Sequence, residues 1–373
     1  MTNYKLSSLS FTFIFICIIN AMLPGTLIPY MLVTAKTSVF ISLFIGFLLG
    51  FLIIFLFFKI FDFLPEYSLF KKIDYVFPKF VSKIIVSIIL LFMFIFAVFV
   101  FWRYSTFISL EFLAETPNSL ITLILILPVI YSTMYDIDTL ARISTFCLFI
   151  GAFLFFNNVL SLLGQVDFSN LLPLLNKDFS HLSKSSVMFS MLCVVPILSL
   201  LVIPKNNIVD KENVKKSILI GYIINTVCVS IIFLCIIGVL GIDVSILFTF
   251  PSYEVLKTIN MFSFLDNIEN INILIWVLFM TLSLQYNLQT IKTGLYEVFN
   301  VKTKKKQYIV MGIIISLLIG VIIYLIPYEN YINKYKNIYA YSPFILLVLS
   351  VIIVIFVFIC GKIKMKTKNI WFC

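Results

Sequence analysis

Long runs of apolar residues without charges constrain the fold of this chain more than any other feature of its sequence. A helix needs about 20 consecutive apolar residues to cross the hydrocarbon core of a bilayer. Ten such runs, bounded by charges or by Pro, Asn and Gly, follow one another along the chain. The predicted spans are Ser10–Leu32, Val39–Phe58, Ile84–Phe107, Leu120–Met134, Ile143–Leu163, Val187–Ile203, Ile218–Leu240, Ile273–Tyr296, Ile309–Ile326 and Pro343–Gly361.

The composition excludes a water-soluble protein. Hydrophobic residues make up 62% of the 373 residues and charged residues only 12%, whereas a soluble domain is about half apolar and about a quarter charged. So few polar side chains cannot cover a soluble surface, which rules out a soluble enzyme, a nucleic-acid binder and a disordered scaffold. We therefore predict an all-α membrane protein of about ten transmembrane helices, with residues 1–373 forming a single polytopic domain.

The distribution of basic residues predicts the orientation of the chain in the membrane. Cytoplasmic loops of membrane proteins carry an excess of Lys and Arg. Of the 27 Lys and Arg residues, 19 fall on the side of the N-terminus, 6 fall on the opposite side, and Arg103 and Lys292 lie within spans. This alternation predicts a multi-pass protein with both termini in the cytoplasm, and it also accounts for the net charge of +10.

Two of the spans are interrupted near their centres. Span one contains Asn20–Thr26, with Pro24 and Gly25, and span six contains Cys193–Pro196. A proline inside a helix removes a backbone hydrogen bond, and in a membrane the freed groups must be paired by protein or line a cavity. Breaks at matching positions of two five-helix halves are typical of transporters with an inverted repeat, which bind ligand at the breaks. Two ordinary proline kinks would give the same pattern.

Span eight is unusually polar. Thr281, Gln285 and Gln289 share one helix face, and Ser283 and Asn287 share another. A helix that is polar on two faces cannot face lipid, so we expect it inside the bundle or beside water. The polar residues then either form hydrogen bonds between helices or contact a ligand.

Arg103 lies in span three, about four residues from its outer end and so about 6 Å deep. Its side chain either extends to the outer headgroups or faces an outward cavity and attracts a ligand carboxylate. In span two, Gly46 and Gly50 form a small-xxx-small pattern that predicts close packing against another helix.

The acidic residues narrow the possible functions. All 17 lie in loops or at span ends, whereas proton-coupled carriers commonly use a carboxylate inside the membrane. The sequence thus disfavours carboxylate-driven symport, although carbonyl and hydroxyl oxygens would still suffice for a sodium ion. It also contains no phosphate-binding loop, catalytic triad or cluster of metal ligands, and its single histidine, His181, is expected in a polar loop. We predict a protein that is not an enzyme and has neither a cofactor nor a metal.

Four short stretches, taken with the ten spans, resemble a known family over essentially the whole chain. They are Met22–Thr26, Asn170–Leu175, Phe250–Glu254 and Phe264–Glu269, the last leading to Trp276. In order and spacing they look like the B subunit of spore germinant receptors. This is the spore permease family of spore germination proteins, within the amino acid–polyamine–organocation transporter superfamily.

The resemblance implies a LeuT-like architecture, with a five-plus-five inverted repeat and broken helices one and six. The first repeat would cover about residues 8–165, the second about residues 186–326, and a last helix about residues 343–361. Ligand contacts in this superfamily come from helices one, three, six and eight. The matching positions here are Leu23, Pro24, Gly25, Thr26, Phe101, Arg103, Val194, Val195, Pro196 and Ser283.

The resemblance also implies a function and partners. Family members bind small germinants, often amino acids, in the inner membrane of bacterial spores, and start germination together with an A subunit and a lipoprotein C subunit. Two other functions remain open at this stage. One is a secondary transporter of amino acids or related solutes, and the other is a membrane scaffold without a ligand, which an occluded core would favour.

Overall fold

A computed structural model describes residues 5–132, 135, 137–259, 269–299, 301, 303–325, 351–353 and 355–364. The all-α prediction is confirmed, because within these residues the backbone is helical apart from connections and one isolated bridge between Leu6 and Ile208. Two predicted features fall outside the described residues: most of Phe264–Glu269, and residues 343–350 of the last span. The rest of that span is helical over residues 351–353 and 355–364.

The helices follow the apolar runs, because a backbone in lipid must pair its N–H and C=O groups within its own segment. Among the described residues, seven helical stretches are long and apolar enough to cross a membrane. The helices are α1 (Ser8–Asn20), α2 (Ile28–Ala35), α3 (Val39–Asp62), α4 (Leu69–Val76), α5 (Lys79–Glu111), α6 (Asn118–Ser132), α7 (Ile137–Leu163), α8 (Phe179–Met191), α9 (Val194–Leu201), α10 (Val214–Leu240), α11 (Ile242–Ser245), α12 (Pro251–Lys257), α13 (Glu269–Val298) and α14 (Lys304–Leu325).

The first of the seven stretches, Ser8–Asp62, contains predicted spans one and two. They separate at Lys36, whose φ of 51° ends α2. Predicted span four corresponds to α6, a shorter apolar helix. The count of ten spans remains a prediction.

The start of predicted span six was wrong. The sequence suggested that the span begins at Val187 and that His181 lies in a loop, but α8 begins at Phe179 and includes His181. Serine side chains explain the difference. In a sequence their polarity suggests a loop, although their hydroxyls are compatible with a helix. The Ser186 hydroxyl, for example, donates to the carbonyl of Leu182 in the preceding turn, so a serine-rich segment can remain helical inside the bundle.

The two broken helices pack side by side in opposite directions. Helix 1 consists of α1 and α2, and helix 6 consists of α8 and α9. The first half of helix 1 packs against the second half of helix 6, and its second half packs against α8. The breaks at residues 21–27 and 192–193 therefore lie at the same level of the bundle, as matching positions of two repeats require.

Glycines on α3 allow α8 and α10 to approach closely, which confirms the packing that the small-xxx-small pattern predicts. A Cβ built on Gly46 would lie only 2.7 Å from the backbone oxygen of Ser186 in α8. A Cβ on Gly50 would overlap the hydroxyl of Tyr222, which projects from α10. Tyr222 also donates a hydrogen bond to the carbonyl of Phe47 at 3.2 Å, so α3 presents a notch that its neighbours fill.

Charged residues tie the elements together at the end of the bundle where the N-terminal residues lie. Asp62, the last residue of α3, forms ion pairs at 2.5 Å with Lys205 and Lys215. The backbone N–H of Ser8 donates to Asp210 at 2.7 Å. The connection between α9 and α10 is thereby fastened both to the start of helix 1 and to the end of α3.

Lys72 is a buried lysine in α4, the short helix between α3 and α5. Its side chain is 1% exposed, and its ammonium donates to the carbonyls of Ile60 at 2.9 Å and Phe61 at 3.5 Å. It thus caps the C-terminal end of α3, where a cation also interacts favourably with the helix dipole. Burial lowers the pKa of Lys72 to about 7, the charge of Asp62 acting to raise it and that of Lys205 to lower it.

The lowered pKa predicts a pH dependence of stability. Between about pH 7 and the ordinary lysine pKa of 10.5, the unfolded chain binds a proton at Lys72 that the folded chain does not hold. The contribution of Lys72 to the free energy of unfolding therefore rises with pH across this window and is constant below it. Melting temperatures measured in detergent from pH 6 to 9.5 should show this rise with pH for the wild type. The Lys72→Met variant should lose this slope of melting temperature against pH.

Lys83→Met is the matched control, because Lys83 is exposed on α5. It should keep the slope of the wild-type protein. Equal slopes for the wild type and Lys72→Met would show that Lys72 stays charged across the window.

Candidate functional site

The break in helix 1 is a wide turn. Residues Leu23–Leu27 form a π-helical turn, in which the N–H of Leu27 donates to the carbonyl of Met22 at 3.2 Å. Pro24 has no N–H to continue the regular ladder, which explains why the turn widens here. The sequence predicted the position of the break, and single π turns of this kind occur frequently at functional sites.

Gly25 lies at the centre of this turn and is packed by side chains from two other elements. A Cβ built on it would lie 3.0 Å from Cε1 of Phe250 and 3.4 Å from Nε of Arg103. Only a residue without a side chain lets these groups reach the backbone of helix 1 so closely.

Arg103 lies inside the bundle. Its side chain is 9% exposed, and its guanidinium carbon lies 5.0 Å from the centre of the Phe250 ring. The side chain lies against the helix 1 break inside the bundle, and the binding of a ligand carboxylate there remains a prediction. A buried cation over an aromatic face is stabilised by the negative face of the ring.

Phe250 comes from the connection that follows α10, and it immediately precedes α12. The ring lies 4.8 Å from that of Phe107 of α5, with which Tyr253 also packs. The ammonium of Lys257 binds Glu111 of α5 at 3.1 Å and Glu254 of α12 itself at 2.8 Å. The ring contacts and the Lys257–Glu111 ion pair hold α12 on the last turns of α5, above Arg103.

The break in helix 6 precedes the predicted residues Val194, Val195 and Pro196, which belong to the first turn of α9. Pro196 lacks the N–H that would pair with the carbonyl of Leu192, and this explains why the helix breaks at residues 192–193. All three predicted residues are buried. Val194 lines an apolar cavity of about 20 Å³ together with Phe57 and other residues of α3, so it faces α3.

Helix α13 lies inside the bundle, as its polar residues predict. It packs against α1, α5 and α7, and Ser283 and Asn287 are fully buried. Within the part of the chain that the structure describes, Ser283 Oγ, Gln285 Oε1 and Asn287 Oδ1 have no hydrogen-bond partner. An unpaired polar atom in a buried place costs about 1–3 kcal/mol.

The structure brings together only some of the predicted site residues. Gly25 and Arg103 are adjacent, and Leu23 and Pro24 belong to the same turn. Thr26 is part of that turn and is partly exposed. Phe101 is fully buried, but it lies about 200° around α5 from Arg103 and so faces another side.

Phe250 was missing from the predicted site. It belongs to the stretch Phe250–Glu254, which carried the family resemblance, but nothing in its loop position indicated that it reaches helix 1. Among the described residues, no group of three His, Cys, Asp or Glu side chains is arranged to hold a metal ion.

Comparison with solved structures gives similar folds at low sequence identity. A nucleobase-cation-symport-1 family transporter, described in a closed conformation with bromovinylhydantoin bound, has a TM-score of 0.58 and 14% identity, covering 98% of this chain and 94% of that chain. A sodium-coupled sialic acid symporter has a TM-score of 0.61 and 11% identity, covering 91% and 78%. A manganese transporter from Eremococcus coleocola has a TM-score of 0.55 and 12% identity, covering 98% and 89%.

These similarities establish the fold alone, which is LeuT-like. Comparison with curated proteins gives no match. A family model described as spore germination protein, or spore permease, matches residues 8–330. The match covers most of the chain and includes both broken helices, Arg103 and Phe250, and the chain therefore belongs to the spore permease family of spore germination proteins.

Proposed function

We propose that this protein is the B subunit of a spore germinant receptor and that it binds an amino acid at the break in helix 1. Binding would shift a conformational equilibrium that partner subunits detect, and a ligand shifts such an equilibrium only by its different affinities for the two states. The partners would be an A subunit and a lipoprotein C subunit in the spore inner membrane, with both termini of this chain in the cytoplasm. Family membership supports these assignments.

A buried cation beside a broken helix is the observation that carries the proposal. The guanidinium of Arg103 lies next to Gly25, where the turn brings the backbone of helix 1 within reach of a small molecule. A carboxylate is the group that a guanidinium binds best, through two parallel hydrogen bonds. The unpaired Ser283 Oγ of α13 supplies a further polar group in the bundle interior.

A secondary transporter is the second candidate, favoured by the similarity to symporter structures. The positions of the acidic residues argue against proton coupling. Within the described residues, buried or half-buried acids such as Asp62, Glu111 and Glu297 lie at helix ends and bind lysines. Vesicles containing the purified protein should therefore show no accumulation of labelled amino acid when a proton gradient is applied. Robust gradient-driven uptake would assign the protein to the transporters.

Substitutions at Arg103 test the receptor assignment. Arg103→Gln removes a charge-assisted hydrogen bond, which is worth about 1.5–3 kcal/mol. Spores should then need about 10- to 100-fold more amino acid for half-maximal germination. Arg103→Lys keeps the charge but cannot form two parallel hydrogen bonds to a carboxylate. The amino acid concentration that it needs for half-maximal germination should therefore lie between those of Arg103→Gln and the wild type. Subunit levels are checked by immunoblotting.

Arg142→Gln is the matched control, because the Arg142 side chain is 84% exposed, and it should respond like the wild type. A normal response of Arg103→Gln would remove Arg103 from the ligand site. If wild-type spores with intact A and C subunits respond to no amino acid, the protein is better described as an assembly scaffold.

A further inference from the structure

The Phe250 side chain occupies the space around the proposed ligand-binding groups. It is 1% exposed although it belongs to a connection outside the long helices. Its ring approaches within 3.0 Å of the position that a Cβ of Gly25 would take, and it lies over the Arg103 guanidinium at 5.0 Å. The one ring thus covers both the glycine and the cation.

The chemistry of this arrangement resembles that of a bound ligand. The ring fills the apolar space opposite Gly25, and its face interacts with the positive charge of Arg103. A free amino acid with an apolar side chain would contact the same two groups. Its side chain would fill the same space, and its carboxylate would pair with the guanidinium by hydrogen bonds.

Contacts from three sides hold Phe250 in this position. The residue immediately precedes α12, which is joined to α5 by the ion pair between Lys257 and Glu111 at 3.1 Å. The Phe250 ring packs against Phe107 and, with Tyr253, forms a small aromatic cluster. Val255 and Leu256 of α12 are buried in the core of the bundle. A ligand that takes the place of the ring therefore has to break the aromatic contacts of Phe250, while Val255 and Leu256 keep α12 in the bundle.

We propose that Phe250 is a built-in occupant of the ligand site, which an amino acid with an apolar side chain must displace. This inference rests on the proposed function, because it assigns the class of ligand and the event that follows binding. Displacement of the ring separates Phe250 from Phe107 of α5. The protein responds to a ligand because the ligand and Phe250 compete for Gly25 and Arg103, so the closed state lowers the apparent affinity for the ligand.

Phe250→Ala tests the competition. Removing the ring should lower the concentration of L-alanine, L-leucine or L-phenylalanine needed for half-maximal germination by about tenfold, if the open state holds about a tenth of the population. Germination without any amino acid would support the inference as well. Phe153→Ala is the control, because that ring is 67% exposed on α7. A higher required concentration for Phe250→Ala would overturn the proposal and make Phe250 a wall of the site.

A second measurement does not depend on germination. A cysteine is placed at Thr26, next to Gly25, and is labelled with a thiol reagent that cannot cross membranes. Labelling should be faster when Phe250→Ala is also present, since the ring no longer covers the break. Unchanged labelling would contradict the displacement model even if the protein binds amino acids. If labelling is faster but spores respond to no amino acid, Phe250 does cover the break in helix 1, and the proposal that an amino acid is the ligand is rejected.

Discussion

Replacing Gly25 with leucine should abolish the response of spores to amino acids at concentrations that saturate the wild type. The added side chain would enter the space between helix 1, Arg103 and Phe250, where a Cβ alone already lies 3.0 Å from the Phe250 ring. It would both fill the site and displace the guanidinium. We expect at least about a 100-fold increase in the required concentration, which corresponds to about 3 kcal/mol.

Protein levels should stay near normal in the Gly25→Leu variant. The atoms that the new side chain meets are ends of side chains, which can rotate away, and leucine adds no polar group to the bundle. Gly320→Leu is the matched control, because none of the described residues lies within 4 Å of a Cβ built at Gly320. The quantities to compare are the germination dose–response curves and the subunit levels in immunoblots. A wild-type response of Gly25→Leu would place the ligand elsewhere.

Gly50→Leu should have the largest effect on folding. A Cβ at Gly50 would overlap the Tyr222 hydroxyl and lie 3.2 Å from Cys193 Sγ at the helix 6 break. Tyr222 cannot yield, because it is 1% exposed, its ring stacks on Phe47 at 5.2 Å, and its hydroxyl is bonded to the Phe47 carbonyl. Overpacking of a core costs about 1–3 kcal/mol and occasionally more. The variant should therefore be nearly absent from membranes, as measured by immunoblotting.

The cause of that loss can be tested separately. Tyr222→Phe removes the hydroxyl that fills the notch, so adding it to Gly50→Ala should recover part of the protein level that Gly50→Ala alone loses. Gly312→Leu serves as the control on α14, since a Cβ there meets nothing within 4 Å in the part of the chain that the structure describes. Normal levels of Gly50→Leu would show that α3 and α10 are not packed as described.

The sequence predicts the elements of this fold well because lipid imposes one simple rule on them. Every backbone group must be paired inside an apolar helix, so runs such as Val39–Phe58 correspond closely to α3 (Val39–Asp62). The predicted first residue of helix 6 was wrong because serine residues suggest a loop. In the structure a serine hydroxyl of this segment donates to a carbonyl of the same helix. Such local hydrogen bonds cannot be recognised from the pattern of apolar residues.

The site could be predicted only in part, for a related reason. A broken helix is visible in the sequence as Pro24 and Gly25, and a cation in a span is visible as Arg103. Their contact depends on how helix 1 and α5 are rotated and packed, and on Phe250, a residue 147 positions away from Arg103. Phe250 lies in a loop, where no helical periodicity indicates the direction in which its side chain points. Phe101 was assigned to the site from the family resemblance, but it faces another side of α5.

Equilibrium binding of a labelled amino acid to the purified protein tests the central claim most directly. Wild-type protein in detergent is titrated with L-alanine and L-leucine in parallel with Gly25→Leu and Gly320→Leu. The account predicts saturable binding to the wild type and to Gly320→Leu, and no measurable binding to Gly25→Leu at the same concentrations. Equal binding by Gly25→Leu and the wild type would contradict a ligand site at the break in helix 1.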